Sequence, residues 1–260
     1  MNIFVFVKRV PDTESKIRIN PVAKAVVEEG LKFILNPYDE YAMEEGLRLR
    51  EARGGQVTAL CIGREEALVI LRKCLAMGAD EAVLIKDETP ESYDGLRVAK
   101  IIARVMERKF PAYDLLLFGK QAVGADNSQV PAMVAELLSL PQATVVTKLM
   151  IEGAKGIAHR EIEGAVEKVE FNLPAVISAQ KGLNEPRYET LKGIMAAKRK
   201  QIPLISLEEL GFAKEELSAQ LELTRMESPP SRQAGRVFGG TPEEAAKQLV
   251  EALRKEAKVI

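Results

Sequence analysis

Over the first 140 residues, two rhythms of apolar and polar positions alternate. Nearly continuous apolar runs, "NIFVFV" (2–7), "QVTALCI" (56–62), "EAVLI" (81–85) and "YDLLLF" (113–118), predict strands buried on both faces. The stretches "NPYDEYAMEEGLRLREAR" (36–53), "REEALVILRKCLAMG" (64–78), "YDGLRVAKIIARVMERK" (93–109) and "NSQVPAMVAELLSL" (127–140) place apolar residues on a helical period. In the first of them Ala42, Met43, Leu47 and Leu49 share that period, with Asn36-Pro37 as a start and Gly54-Gly55 as a stop. Strands alternating with amphipathic helices predict right-handed crossovers and a parallel sheet covered on both faces.

Beyond Leu140 the rhythm changes. "ATVVTKLMIEG", "GIAHREIEG", "AVEKVEFNL" and "PAVISAQ" are short strand-like runs broken by glycine or proline, and they predict an antiparallel extension of the same sheet. After about residue 203 the chain becomes irregular, with the loop-rich "SPPSRQAGRVFGG" (228–240). A terminal helix follows, with Thr241 as cap, Pro242 at the first helical position and Glu244 as capping-box partner. The expected organisation is an α/β domain over 1–203 and a C-terminal arm with a helix over 204–260, placed to pack on its own domain or to embrace another chain.

Composition narrows the function. The formal charge of −1 argues against a general nucleic-acid surface. No apolar run approaches the ~20 residues of a membrane span. Two cysteines, Cys61 and Cys74, are too few for a disulfide framework, and both sit in apolar patterns as core residues. With no secretory signal, a cytoplasmic location is expected. His159 is the single histidine, which excludes histidine triads and multi-histidine metal sites, and no catalytic constellation stands out.

The most informative loop is "LLLFGKQAVGADNSQVPAMVAELL". A buried strand ends at Phe118, Gly119 and Gly124 allow tight turns, and Asp126, Asn127 or Ser128 can cap the next helix. A helix N-terminus at the carboxyl end of a parallel strand is a phosphate site, to which Lys120 adds a charge. Read from the residues alone, the same stretch serves equally as a plain capped turn. There is no Walker loop and no G-x-G-x-x-G after the first strand, so a nucleotide here would be bound rather than transformed. Lys8, Arg9 and Asp12 in "VKRVPDTE" face the same edge and are candidates to line a site there, although each taken alone reads as a solvated loop residue.

Six segments in order, "VKRVPDTESKIRIN", "NPYDEYAMEEGLRLRE", "LRKCLAMGADEAVLI", "GKQAVGADNSQ", "REIEGAVEKVEFNLPAVISA" and "LNEPRYETLKGIMAAKRK", resemble the beta (small) subunit of electron transfer flavoproteins. The resemblance runs from residue 1 to about 203, and more weakly through "ESPPSRQAG". It implies an adenine nucleotide alpha hydrolase-like α/β fold in a heterodimer with an alpha subunit that supplies most of an FAD site. It also implies a structural AMP in this chain and a C-terminal arm reaching onto the partner. Electrons would pass from acyl-CoA and related dehydrogenases of fatty acid oxidation, through the flavin, to a quinone oxidoreductase. The chain would thus belong to an electron carrier, with the redox chemistry supplied by the cofactor.

Residue by residue, the resemblance assigns the AMP contacts to Phe6, Asn36, Pro37, Tyr38, Asp39 and Ile62, and to Gln121, Ala122, Val123, Gly124, Ala125, Asp126, Asn127, Ser128, Gln129, Val130, Pro131 and Ala132. Asp126, Asn127, Ser128 and Gln129 match the phosphate and ribose contacts, and Tyr38 matches an aromatic position near the flavin, or simply starts a helix. Val130-Pro131 stands where mitochondrial-type members have Thr-Gly, and Thr13 where a tyrosine approaches the flavin. "VPDT", "NPYDEYA" and the D-x-x-Q-V spacing also resemble an electron-bifurcating branch with a second FAD in place of AMP. A free-standing adenine-nucleotide-binding module is the third reading. Leu191 matches the leucine that anchors partner dehydrogenases, flanked by Lys192, Lys198, Arg199 and Lys200. Read without the resemblance, Leu191 packs under its own loop.

Overall fold

A computed structural model describes residues 1–89, 94–230 and 234–260. The elements are β1 (Asn2–Phe6), β2 (Arg9–Pro11), β3 (Ile19–Asn20), β4 (Ala25–Val26), β5 (Phe33–Leu35), α1 (Pro37–Arg53), β6 (Gln56–Gly63), α2 (Leu68–Met77) and β7 (Glu81–Lys86). They continue with α3 (Gly95–Lys109), β8 (Leu115–Gly119), α4 (Val130–Leu137), β9 (Gln142–Glu152), β10 (Lys155–Ile162), β11 (Ala165–Asn172), β12 (Ala175–Ala179), α5 (Leu191–Arg199), β13 (Leu204–Ser206) and α6 (Pro242–Ala252). The helix expected from Tyr93 starts at Gly95, capped by the Asp94 carboxylate; Tyr93 itself, like 231–233 of the loop-rich arm, lies outside the described residues.

A nine-stranded sheet in the order β11-β10-β9-β12-β8-β1-β6-β7-β13 organises the chain. From β9 to β13 neighbouring strands are parallel, and β9, β10 and β11 form the antiparallel extension. One expectation is corrected. "AVISA" forms β12, which runs parallel between β8 and β9 rather than extending the antiparallel part. Its five residues are all buried, the mark of an interior parallel strand rather than an edge.

The continuous apolar character of β1 follows from having a core on each side. Ile3 and Val5 join the cluster under α1 and α2, whereas Phe4 and Phe6 join the one under α3 and α4. Gly46 lets α1 lie close on the sheet, since a Cβ there would stand 3.1 Å from Val5 Cγ2.

The body extends past residue 203. β13 adds the outermost parallel strand, Ile205 and Leu210 are buried in the second cluster, and Leu207, Phe212 and Leu217 pack against it. From there to α6 the described residues form no helix or strand, and α6 buries none of its residues. Its start is as the sequence predicts: Thr241 Oγ1 accepts from Glu244 N (3.3 Å) while Thr241 N donates to the Glu244 carboxylate (2.9 Å).

Candidate functional site

The chain leaves β1 toward β6 on one side, while β8 lies on the other side of β1, so the carboxyl ends of β1 and β8 form a topological switch point. Phe6 and Phe118, paired in register at those ends, stack with centroids 4.6 Å apart and planes 11° from parallel. Ile62, half-buried, is the penultimate residue of β6, the next strand over.

The first turn of α1 is brought to this edge and stitched to the loop after β8. Asn36 is buried, and its side chain does not cap its own helix. Instead Nδ2 donates to Gln121 O (2.8 Å) and to Asp39 Oδ1 (2.8 Å), and Oδ1 accepts from Val123 N (3.1 Å). Asp39 accepts in addition from Lys8 N (2.7 Å) and Gly119 N (3.2 Å). Burial nonetheless pushes the Asp39 carboxyl up to about 7, against the pull of these donors and of Lys8.

Gly119 has a role that the sequence reading missed. It was expected to permit a tight turn, yet its φ is not positive. A Cβ at this position would stand 2.3 Å from Asp39 Oδ1 and 2.6 Å from the Tyr38 carbonyl carbon. Glycine is needed because the start of α1 occupies the space of a side chain. Gly124, by contrast, has φ +90° and is a turn glycine.

The 121–129 loop is braced from within. Gln121 Nε2 donates to Asp126 Oδ1 (2.6 Å), and Ser128 Oγ donates to Gln121 Oε1 (2.8 Å). Asp126 and Ser128 both hold positive φ, an uncommon backbone for residues with a side chain. The expectation that Asp126, Asn127 or Ser128 caps α4 is corrected: Gln129 is the cap residue, and no side chain bonds the helix start. The three side chains are committed to the loop or exposed. Pro131 carries no N–H, so the free donors of the first turn are those of Val130 and Ala132.

The positions assigned to the nucleotide therefore gather from four elements at one sheet edge. Gly124 to Gln129 are exposed, Asn36, Asp39 and Pro131 are buried as supports, and Pro37, Tyr38, Gln121, Ala122, Val123, Val130 and Ala132 are half-buried. Lys120 Nζ lies 6.0 Å from the Tyr38 ring centroid. Gly95 belongs to this neighbourhood too, its missing Cβ facing Gln129 Oε1 at 3.3 Å; nothing in the sequence marks it. Arg9 and Asp12 turn elsewhere, Arg9 over Phe33 and Asp12 to Lys32 (2.9 Å). Cys61 and Cys74 are buried, and desolvation pushes the Cys61 thiol up to about 12.

Leu191 stands apart from this edge. It is 77% exposed and opens α5, whose cap Thr190 accepts from Gly193 N (3.0 Å). The expected loop is thus a capped helix start, and Leu191 does not pack beneath it. Lys192, Lys198 and Arg199 are exposed, whereas Lys200 Nζ donates to Asp80 O (2.6 Å) and Ala79 O (3.2 Å). Among the described residues no helix is long and apolar enough to cross a membrane.

Residues 24–210 match the electron transfer flavoprotein domain family. The chain is 43% identical over 261 residues to electron transfer flavoprotein subunit beta of Bacillus subtilis, covering 100% of both chains. It is 41% identical to the subunit of that name from Thermoanaerobacterium thermosaccharolyticum, over 97% of this chain and 98% of that one. To the human subunit it is 38% identical, over 90% and 91%.

Proposed function

Because the chain belongs to the electron transfer flavoprotein family as a beta subunit, we propose that it pairs with an alpha subunit and holds a structural AMP. The heterodimer would carry electrons from acyl-CoA and related dehydrogenases to a quinone oxidoreductase. When bound, FAD supplies reversible electron acceptance; most of its site would come from the alpha subunit, and this chain's part is positional.

One observation carries the AMP reading: the α4 N-terminus has no side-chain cap and opens beside the braced 121–129 loop at the switch point. The N–H groups of Val130 and Ala132 would meet the phosphate, with Ser128 Oγ and the Asn127 side chain beside them. The Asp126 carboxylate suits ribose hydroxyls rather than phosphate, since it accepts hydrogen bonds. Gln121 would hold Asp126 and Ser128 in register, and Asn36 would tie that register to α1. Phe6 and Ile62 would supply apolar surface near the adenine.

Two further parts of the chain face outward. The arm beyond Leu217 and α6, with Leu249 and Val250 exposed, would lie on the alpha subunit. Leu191 would enter an apolar pocket of a partner dehydrogenase, contributing roughly 1.5–3 kcal/mol when buried, enough for a transient hold.

The test is to purify the heterodimer, denature it and quantify the released nucleotides. One FAD and one AMP per heterodimer is the expected result. Two FAD and no AMP would replace this reading with the bifurcating one, and no nucleotide would overturn both.

A further inference from the structure

The segment leading to Leu191 is gripped by α1 through side chains that the nucleotide edge does not use. Asn184 Nδ2 donates to Tyr41 O (3.0 Å) and Glu45 Oε2 (2.9 Å). Three residues on, Arg187 meets Glu44 through its backbone N (3.1 Å to Oε2), Nε (2.7 Å to Oε2) and Nη2 (2.9 Å to Oε1). It also reaches both carboxylate oxygens of Glu51, about two turns further along the helix. Glu44 is buried, so the guanidinium fork satisfies a carboxylate withdrawn from water.

A second fixed point lies on the other side of Leu191. Gly193 sits against α2 so closely that a Cβ there would be 2.2 Å from Ala76 O. Ala197 is buried, and its carbonyl accepts from Arg72 Nη1 (2.8 Å). Between these points Tyr188 and Leu191 project, 94% and 77% exposed. An exposed apolar turn held at both ends is a preorganised docking element, since little ordering is left to be done on binding.

We infer that Arg187 is a positioning residue for partner docking, holding the 188–191 turn on α1 through Glu44 and Glu51. The inference rests on reading Leu191 as the anchor. It goes beyond that reading by assigning the geometry of the anchor to the Arg187 fork, ion-paired to the helix that begins after Asn36 and carries Asp39.

The test uses the holo heterodimer, with steady-state electron transfer from a flavin dehydrogenase as the assay. Arg187→Met should raise the KM for the flavoprotein about tenfold, the change falling in KM rather than in kcat. Arg187→Lys, which keeps the charge but not the planar fork, should raise it about threefold. Combined with Leu191→Ala, Arg187→Met should add nothing, because a turn without its anchor needs no positioning. A lower unfolding temperature with normal KM would make Arg187 a structural staple only and overturn the inference, as would additive effects in the double variant. A normal KM for Leu191→Ala would instead sink the anchor reading, and the inference with it. If Arg187→Met yields no folded heterodimer, Glu51→Gln loosens the same grip from its exposed side. It should raise KM about threefold, and an unchanged KM overturns the inference.

Discussion

Replacing Asn36 with alanine tests whether one buried side chain joins α1 to the loop after β8. Three hydrogen bonds disappear at once: those to Gln121 O and Asp39 Oδ1, and that from Val123 N. An ordinary intramolecular hydrogen bond contributes about 1 kcal/mol net, and a charge-assisted one to a carboxylate about 1.5–3. Simple addition gives roughly 3.5–5 kcal/mol. Asp39 keeps its bonds from Lys8 N and Gly119 N, and the half-buried loop can admit water to Gln121 O and Val123 N, so the expected loss is about 3 kcal/mol. Asn36→Asp should be worse at pH 8, because it sets a second carboxylate against Asp39, and should partly recover in acid as one of the pair takes up a proton. Urea denaturation gives the stability, and amide exchange at Val123 reports the loop directly. A loss under about 0.5 kcal/mol with Val123 exchange unchanged would refute the stitching argument.

Three other outcomes follow from the same site and its surroundings. Gly119→Ala should cost at least about 2 kcal/mol and release the nucleotide proposed for this edge, because its Cβ meets α1 backbone atoms that cannot retreat like a side chain; retained nucleotide at normal stability would argue against it. The folded-state pKa of Asp39 is raised from 3.8 to about 7, so the folded protein binds the proton more tightly than the unfolded one. That contribution is complete below about pH 4 and is lost as pH rises to 7, by at most roughly 4 kcal/mol. Wild-type stability relative to Asp39→Asn should therefore fall across this window, and a flat difference would contradict it. Arg97, paired with Asp87 where both side chains are buried, should cost about 3–5 kcal/mol when changed to methionine, whereas Arg97→Met with Asp87→Leu should be close to neutral in equilibrium unfolding. Equal losses in the single and double variants would show that packing, not the stranded carboxylate, sets the cost.

Much of the architecture is written in the chain itself, because apolar period and capping chemistry are local. The runs at 2–7, 56–62, 81–85 and 113–118 became β1, β6, β7 and β8, and the helical periods between them became α1, α2 and α3. Thr241 and Glu244 lie three residues apart and cap α6 as their spacing predicts. The ordered motifs were enough to identify the family. Local pattern did not reveal where β12 inserts, since a buried run reads the same in any interior place and its neighbours β8 and β9 are chosen by the whole sheet.

The candidate site is divided in the same way. The loop after β8 and the Asn36–Asp39 turn were legible as segments, but their joining was not. The Asn36–Gln121 bond spans 85 residues, and no local rhythm encodes it. Gly119 looked like a turn glycine because its actual reason, the carboxylate of Asp39 in its side-chain space, comes from a helix that begins 82 residues earlier. Nothing local in the sequence marks Arg187; only the fold sets two carboxylates of α1 against its fork. The sequence by itself determined the elements and the family, whose signals lie within a few turns of chain. Only the tertiary structure decided which polar groups are withdrawn from water together, because the desolvation that makes Asn36, Asp39 and Glu44 depend on distant partners arises only when the layers close.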